Sequence, residues 1–230
     1  MYKKVLSVAG IILILCVIQS CQQKPEEGLL KRYFHALSLN DMTTMSTMAL
    51  KPVAMDVESW EIVSVSEEKI EPANLPELNK NELDLKKKVE ESVGITLSAR
   101  DALDDAKFEL ENARTAAARA TAKKKVDELQ AKYDEVYENH KQLQKEYNEA
   151  KSAAAREEEI TLFSLGVQDL PNVRDLTGQV FSREVDVKIR DKAGETKNYR
   201  FYLRKYELKD EAMKLSHRGR YIIVNFEPIS

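Results

Sequence analysis

Cysteine and histidine, which can serve as nucleophiles, proton carriers or metal ligands, are few in this chain. The two cysteines, Cys16 and Cys21, lie near the start of the chain. The three histidines, His35, His140 and His217, are far apart and do not form the His-x-x-x-His or His-Glu-x-x-His spacing that places two ligands on one helix face. The sequence also has no glycine-rich phosphate loop and no Gly-x-Ser-x-Gly elbow. We therefore expect no enzymatic activity, no metal and no cofactor.

The surroundings of Cys21 fit one kind of chemistry, which is lipid attachment after secretion. The chain begins with a basic segment that contains two lysines and continues with an apolar run from Val5 to Ile18. The run ends before Gln19 and is shorter than the roughly 20 apolar residues that a transmembrane helix needs. It predicts a secretory signal at residues 1–20, with a transmembrane helix as the alternative.

The stretch from Val17 to Cys21 resembles the lipobox of bacterial lipoproteins. In that family an aliphatic residue lies three places before the cysteine and a small residue directly before it; Ile18 and Ser20 hold these positions here, with isoleucine in place of the usual leucine. The resemblance implies that the signal is removed before Cys21 and that the thiol and the new amino terminus carry acyl chains such as palmitate. Two or three such chains form a stable membrane anchor, because each buried methylene contributes about 0.8 kcal/mol.

The resemblance also implies a compartment. Enterobacterial lipoproteins with an aspartate directly after the lipidated cysteine stay in the inner membrane, whereas this chain has Gln22 there. The periplasmic face of the outer membrane is therefore favoured, with residues 21–28 as the lipidated tether. No thiol would remain free after processing, which excludes cysteine catalysis and a disulfide within the mature chain.

Residues 77–159 have the composition of long helices, with no proline and Gly94 as the only glycine. In the second half of this stretch the seam residues recur at spacings of three and four, the heptad pattern of a coiled coil. We interpret His140 on this seam as a residue that fixes the register, with a proton-sensitive switch as the alternative. The predicted seam consists of Leu103 and Leu110 in the first half and of Val126, Leu129, Tyr133, Val136, His140, Leu143 and Tyr147 in the second.

The two halves do not share one heptad register. The first half predicts Lys124 as its next seam residue, whereas the second half starts at Val126, and a slip of two residues matches neither a stammer nor a stutter. The alanine-rich segment 115–122 lies at this change and divides the stretch into two arms of roughly 38 residues, about 57 Å each. We predict an antiparallel coiled-coil hairpin over 77–159. One continuous helix, or a break near Gly94, remains the alternative.

The segments on either side of the arm, 29–76 and 160–230, predict one α+β head domain. Its fold class is a helix pair packed on a four-stranded antiparallel sheet, with the hairpin inserted after the first strand. An insertion into a sheet must leave and return at nearby points, which favours a hairpin over a single rod. The expected elements are helices around 30–37 and 42–49 and strands around 60–66, 185–189, 199–203 and 222–226.

The order of these elements, together with Tyr33-Phe34, the segment from Trp60 to Val65 and the closing residues Gly219 to Val224, is similar to cystatin-like and NTF2-like domains of bacterial lipoproteins. The resemblance covers about half of the chain, and the inserted arm departs from the family. It implies a head held at the membrane, with a small-ligand pocket as one possible use. The lining candidates for such a pocket are Tyr33, Trp60, Tyr199, Phe201 and Tyr202.

Two functions follow from this organisation. The first is a non-enzymatic envelope lipoprotein whose arm binds a protein partner or self-associates; the second is a ligand-binding head. The net charge of −3 argues against nucleic-acid binding. The last three strands are rich in lysine and arginine and could meet anionic lipid headgroups, with a solvated sheet face as the alternative.

Replacing Cys21 with alanine should abolish acylation and leave the precursor uncleaved or released, because the thiol is the atom that accepts the first lipid. Metabolic labelling with a palmitate analogue and the mass of the membrane-bound chain measure both effects. Incorporation of the label by the Cys21→Ala variant would show that the lipobox interpretation is wrong.

Overall fold

The computed structural model describes residues 24–229, so Ile18, Ser20 and Cys21 lie outside the described residues. The chain is an α+β protein with a long antiparallel helix pair and a curled antiparallel sheet, which confirms the predicted class and the hairpin. Within the described part, no helix has the length and apolar character needed to cross a membrane. In chain order the elements are α1 (Pro25–Ser38), α2 (Met42–Met45), β1 (Ser59–Val65), β2 (Lys69–Pro72), α3 (Leu75–Asn112), α4 (Ala116–Leu165), a 3-10 turn (Val173–Asp175), β3 (Thr177–Arg190), β4 (Thr196–Asp210), β5 (Leu215–Arg218) and β6 (Ile222–Ile229).

The sheet has six strands in four lanes. The central strands β3 and β4 contain 14 and 15 residues and pair antiparallel along their whole length. Both β1 and β2 pair with the outer edge of β3, and both β5 and β6 pair with the outer edge of β4. The four predicted strands correspond to the four lanes, but each edge lane is split into two strands. The hairpin therefore follows the second strand, β2, and the prediction that it follows the first strand is wrong.

The two central strands bury opposite faces at their two ends. Val185 is buried in one half of β3 and Val180 in the other. The two are five positions apart, an odd offset, so their side chains lie on opposite faces of the strand. The same change occurs in β4 between Phe201 and Tyr206. The register pairs Val185 with Phe201 and Val180 with Tyr206, which shows that both strands change their buried face together.

Helices α1 and α2 cover the first of these faces. Tyr33 and Phe34 of α1 lie 6.3 and 5.7 Å from Phe201 between ring centroids, and Trp60 of β1 stacks on Phe34 at 4.5 Å. Tyr33, Phe34 and Phe201 are each at most 2% exposed. These rings fill the space between the helices and the sheet. Helix α2 is a single turn, capped by Asp41, and ends before the predicted residue 49.

The base of the hairpin covers the opposite face at the other end of the sheet. Leu75 at the start of α3 and Ile160 near the end of α4 are both buried there. They form a second core with Val173 and Leu176 of the 3-10 turn region and with the sheet residues Val180, Tyr206, Leu208 and Ile222. The sheet is thus enclosed between two helical layers that do not overlap.

The first turn of α1 is fixed to the sheet by an ion pair between a buried glutamate and a partly exposed arginine. Glu26 is fully buried, and its Oε1 lies 3.0 Å from Nη1 of Arg183 on β3. The Nε of Arg183 donates to Glu68 at 3.3 Å, and the hydroxyl of Tyr221 also donates to Glu68. The Tyr221 hydrogen bond, followed by the charge of Arg183, holds the pKa of Glu68 below its usual range. Helix α1 begins at Pro25, within the predicted tether 21–28.

Replacing Arg183 with methionine should lower the free energy of unfolding by about 3 kcal/mol, because Glu26 would keep a buried charge without a partner. The double variant Glu26→Leu/Arg183→Met should recover much of this loss, since it removes both charges. Urea unfolding of the full chain in non-ionic detergent measures the difference. Equal stability of the single variant and the unsubstituted chain would contradict the importance of this pair.

Candidate functional site

The helical arm leaves the head as two helices, and a buried hydrogen-bond network fixes the second of them to the sheet. The hydroxyl of Tyr206 donates to Oε1 of Glu157 at 2.7 Å, and Nη1 of Arg204 donates to Oε2 at 3.3 Å. Glu157 is 7% exposed and Tyr206 1%. Burial, and next the charge of Glu157, raises the pKa of Tyr206, so the phenol keeps its proton and remains a donor at neutral pH.

Arg174, in the 3-10 turn, joins the two helices of the arm at their base. Its Nη1 lies 2.7 Å from Glu82 of α3, and its Nη2 lies 2.7 Å from Glu158 of α4. Both bonds are charge-assisted and come from one planar guanidinium, so they fix Glu82 and Glu158 relative to each other. The separation of the helices is therefore fixed where they leave the head.

Residues 113–115 form the turn between the helices. The backbone of Ala113 is extended, and the side chain of Thr115 accepts a hydrogen bond from the backbone N–H of Ala118 at 3.1 Å, which caps α4. The turn overlaps the alanine-rich segment 115–122 only at Thr115, and the alanines that follow belong to α4. Helix α3 continues through Gly94, so the alternatives of one continuous helix and of a break near Gly94 are wrong. Helix α4 has 50 residues and is longer than the predicted arm because it continues past Glu159 into the head.

The seam between α3 and α4 places small side chains opposite large ones. The Oγ of Ser92 lies 2.8 Å from Nδ1 of His140, which defines the register. Because the helices are antiparallel, one heptad closer to the tip brings Ala99 opposite Tyr133. Among the predicted seam residues, Leu103 is buried, and the half-buried ones are Leu110, Val126, Leu129, Tyr133, Val136, His140, Leu143 and Tyr147.

The polar pair on the seam joins the two helices through one hydrogen bond. The hydroxyl of Ser92 donates to the carbonyl of Val89 at 2.7 Å, and Nδ1 of His140 shares a hydrogen bond with the same oxygen whose direction is set by the imidazole tautomer. A hydrogen bond that exists in only one alignment of the helices supports the interpretation of His140 as a register-fixing residue.

The outward side of α3 carries large apolar side chains that the seam does not explain. Leu83, Leu97 and Phe108 are 56, 52 and 69% exposed. At 100° per residue they fall within about 40° of one another around the helix axis, on the side away from the seam. We name Leu83, Leu97 and Phe108 the outer stripe. It extends over about 38 Å of the arm.

Charge is unequally divided between the two helices near the tip. One cross-helix ion pair is formed, between Lys125 and Glu109 at 2.7 Å. A protein that docks at the tip would therefore meet an acidic helix beside a basic one. The acidic residues of α3 here are Asp101, Asp104, Asp105, Glu109 and Glu111, and the basic residues of α4 are Arg119, Lys123, Lys124 and Lys125.

The residues that were predicted to line a ligand pocket in the head lie elsewhere or in the core. Tyr33 and Phe201 are core residues, and Trp60 and Tyr199 pack against that core. Tyr202 lies on the other face of β4, where its hydroxyl donates to Glu227 at 2.5 Å. The space between the helices and the sheet is therefore filled by side chains.

No three His, Cys, Asp or Glu side chains in residues 24–229 come together as a metal site.

The basic side chains of the last strands mostly form ion pairs with neighbouring acids, which favours the solvated-face alternative over a broad surface for anionic lipids. The ion pairs are Lys188 with Glu61, Arg190 with Glu58, Lys192 with Asp56, Lys197 with Glu195, Arg200 with Asp186, Arg204 with Glu157, and Lys205 with Glu207.

The outer stripe lies off the seam register, so the heptad pattern does not predict it. Its spacings of 14 and 11 residues are also multiples of helical turns, so the signal was present, but it is diluted by charged neighbours. Neither a known protein family, nor a curated protein, nor a solved structure matches this chain. The residues of the chain itself therefore carry the functional inference.

Replacing Tyr206 with phenylalanine should lower the free energy of unfolding by about 1–2 kcal/mol, because a buried carboxylate loses its hydroxyl donor. The matched control is Tyr202→Phe, which removes an exposed tyrosine–glutamate bond and should have a much smaller effect. Urea unfolding followed by circular dichroism compares the two. Equal losses for both variants would show that the Tyr206–Glu157 bond has no special role at the base of the arm.

Proposed function

We propose that the chain is a non-enzymatic lipoprotein of the bacterial envelope, anchored through acylated Cys21, whose helical arm binds a protein partner. The outer stripe is the observation that carries this proposal. These large apolar side chains lie exposed along one side of a stiff arm, where a partner that packs lengthwise on the helix would cover all three. Phe108, 69% exposed near the tip, is the proposed centre of the contact.

The short connection between anchor and head supports the membrane part of the proposal. Three residues, Gln22 to Lys24, separate Cys21 from the start of α1, which spans at most about 14 Å. The head would stay next to the bilayer, while the arm extends about 45 Å beyond the Arg174 contact at its base. Because Gln22 follows the cysteine, we place the protein at the periplasmic face of the outer membrane.

For the head we propose the cystatin-like or NTF2-like class, supported by α1 packed on an antiparallel sheet of four lanes. Ligand binding inside such a cone has little support here, because Tyr33, Phe34 and Phe201 occupy that space. Self-association of the arm is the alternative to a different partner. It is favoured by the acidic and basic segments at the tip, which are complementary between two copies.

A photo-crosslinking amino acid at Lys107, beside Phe108, should capture the partner in intact membranes. The double variant Leu97→Ser/Phe108→Ser should lose this cross-link, because the apolar contact is removed while the helix remains. The matched control is Met213→Ser, which replaces an exposed apolar residue in the head. An adduct of twice the mass of the chain would identify self-association. Retention of the cross-link by the double variant would contradict the proposed contact.

Shortening the arm by two heptads on each helix should also abolish the cross-link without unfolding the head. Deleting 92–105 and 127–140 removes segments that face each other, so the heptad phase of the remaining seam, the turn and Phe108 are retained, while Leu97 of the outer stripe is lost. The arm becomes about 21 Å shorter. A folded shortened chain, judged by circular dichroism, that still captures the same partner would show that the reach of the arm is not used.

A further inference from the structure

A cleft on the head lies between α1, α2 and the connection from β5 to β6. Its volume is about 330 Å³, within the range of small-molecule sites. Its floor is apolar and includes the buried Leu29, while Leu39 forms an edge that is 65% exposed. Arg32, His35 and Arg220 supply polar side chains around it. The cleft therefore combines apolar contact with cationic and hydrogen-bonding groups.

The two arginines of the cleft retain free hydrogen-bond donors. Nε of Arg32 donates to the carbonyl of Gly28 at 3.3 Å, and Nη2 of Arg220 donates to the carbonyl of Thr47 at 3.0 Å. Across residues 24–229 neither guanidinium has a carboxylate within 4.0 Å, in contrast to Arg174, Arg183 and Arg200. Their remaining N–H groups suit a phosphate, which guanidinium groups bind with paired hydrogen bonds.

One acidic side chain, Asp41, also lines the cleft among the described residues. It accepts hydrogen bonds from Oγ1 of Thr44 at 2.5 Å and from the backbone N–H of Thr44 at 2.9 Å. These bonds, the hydroxyl first, hold the pKa of Asp41 below its usual range, so it stays an acceptor. A ligand that fits all these groups has a phosphate for the arginines, a hydroxyl for Asp41 and an apolar part for Leu29 and Leu39.

We propose that this cleft binds the headgroup of an anionic phospholipid with a free hydroxyl, for which phosphatidylglycerol is the probe. The phosphodiester lies against Arg32 and Arg220, and the glycerol hydroxyls reach Asp41. The lipid assignment rests on the proposed anchor, since Arg32 lies at most about 25 Å along the chain from Cys21. A bound headgroup would set the orientation of the head on the membrane, which a three-residue tether leaves free.

Isothermal titration of the full chain in non-ionic detergent with dihexanoyl-phosphatidylglycerol tests this directly. The variant Arg32→Gln/Arg220→Gln should bind at least about 30-fold more weakly, because each charge-assisted contact contributes about tenfold or more. The matched control is Lys31→Gln/Arg218→Gln, which removes the same charge outside the cleft and should bind within about twofold of the unsubstituted chain. Arg32→Gln alone keeps the test valid if the double variant does not fold.

The other ligands decide between the sources of the phosphate. Dihexanoyl-phosphatidylcholine should bind at least about tenfold more weakly, and inorganic phosphate should bind more weakly still, since it lacks the apolar part. Equal affinity for inorganic phosphate, equal affinity for phosphatidylcholine, or no binding of phosphatidylglycerol would each overturn the lipid assignment. The titration does not depend on acylation of Cys21 or on capture of an arm partner, so failure here is distinguishable from failure of the proposed function.

Discussion

Two buried glutamates, one on each face of the sheet, connect the helical layers to partly exposed arginines at its centre. Arg183 of β3 pairs with Glu26 of α1 on the first face, and Arg204 of β4 pairs with Glu157 of α4 on the other. The register of β3 and β4 places the two arginines in adjacent rows, where the buried face changes. Because an unpaired charge in such a position is costly, each layer must present its glutamate at that point. The place of α1 and the exit of the arm both follow from this requirement.

Much of the architecture could be predicted because it depends on local periodicity. The heptads of the arm identified the hairpin, and the alternating or β-branched segments identified one strand in each of the four lanes of the sheet. The split of the edge lanes could not be predicted, since β2 contains Pro72 and β5 shows no apolar alternation. The second core was missed for a related reason. The change of buried face at Arg183 and Arg204 interrupts the alternation, and charged residues there have the pattern of a solvated surface.

The candidate sites could be predicted to a smaller extent than the fold, because they depend on packing between distant segments. Seam positions can be identified because neighbours along one helix determine them, whereas Phe108 becomes noticeable only once the seam is known to face away from it. The cleft depends on Arg32 and Arg220, which are far apart in the sequence. They line one cleft because α1 packs beside the start of β6. The periodicity of apolar residues in the sequence indicates which residues lie on the same face of a helix or strand. It carries no information on which surfaces remain uncovered after packing.

The position of the hairpin between β2 and β3 also bears on how the sheet forms. Pro72 pairs with Gln179, so about a hundred residues separate two strands that must meet. Helix contacts across a tight turn are local and form early, and closing the hairpin from Thr115 towards its base brings Leu75 and Ile160 together. With Leu75 and Ile160 together, only about 22 residues separate Pro72 from Gln179. The loop that the strands then have to close is about five times shorter, which reduces its entropy cost by about 1.4 kcal/mol. The arm that reaches outward in the folded protein thus also brings β2 and β3 close enough to pair.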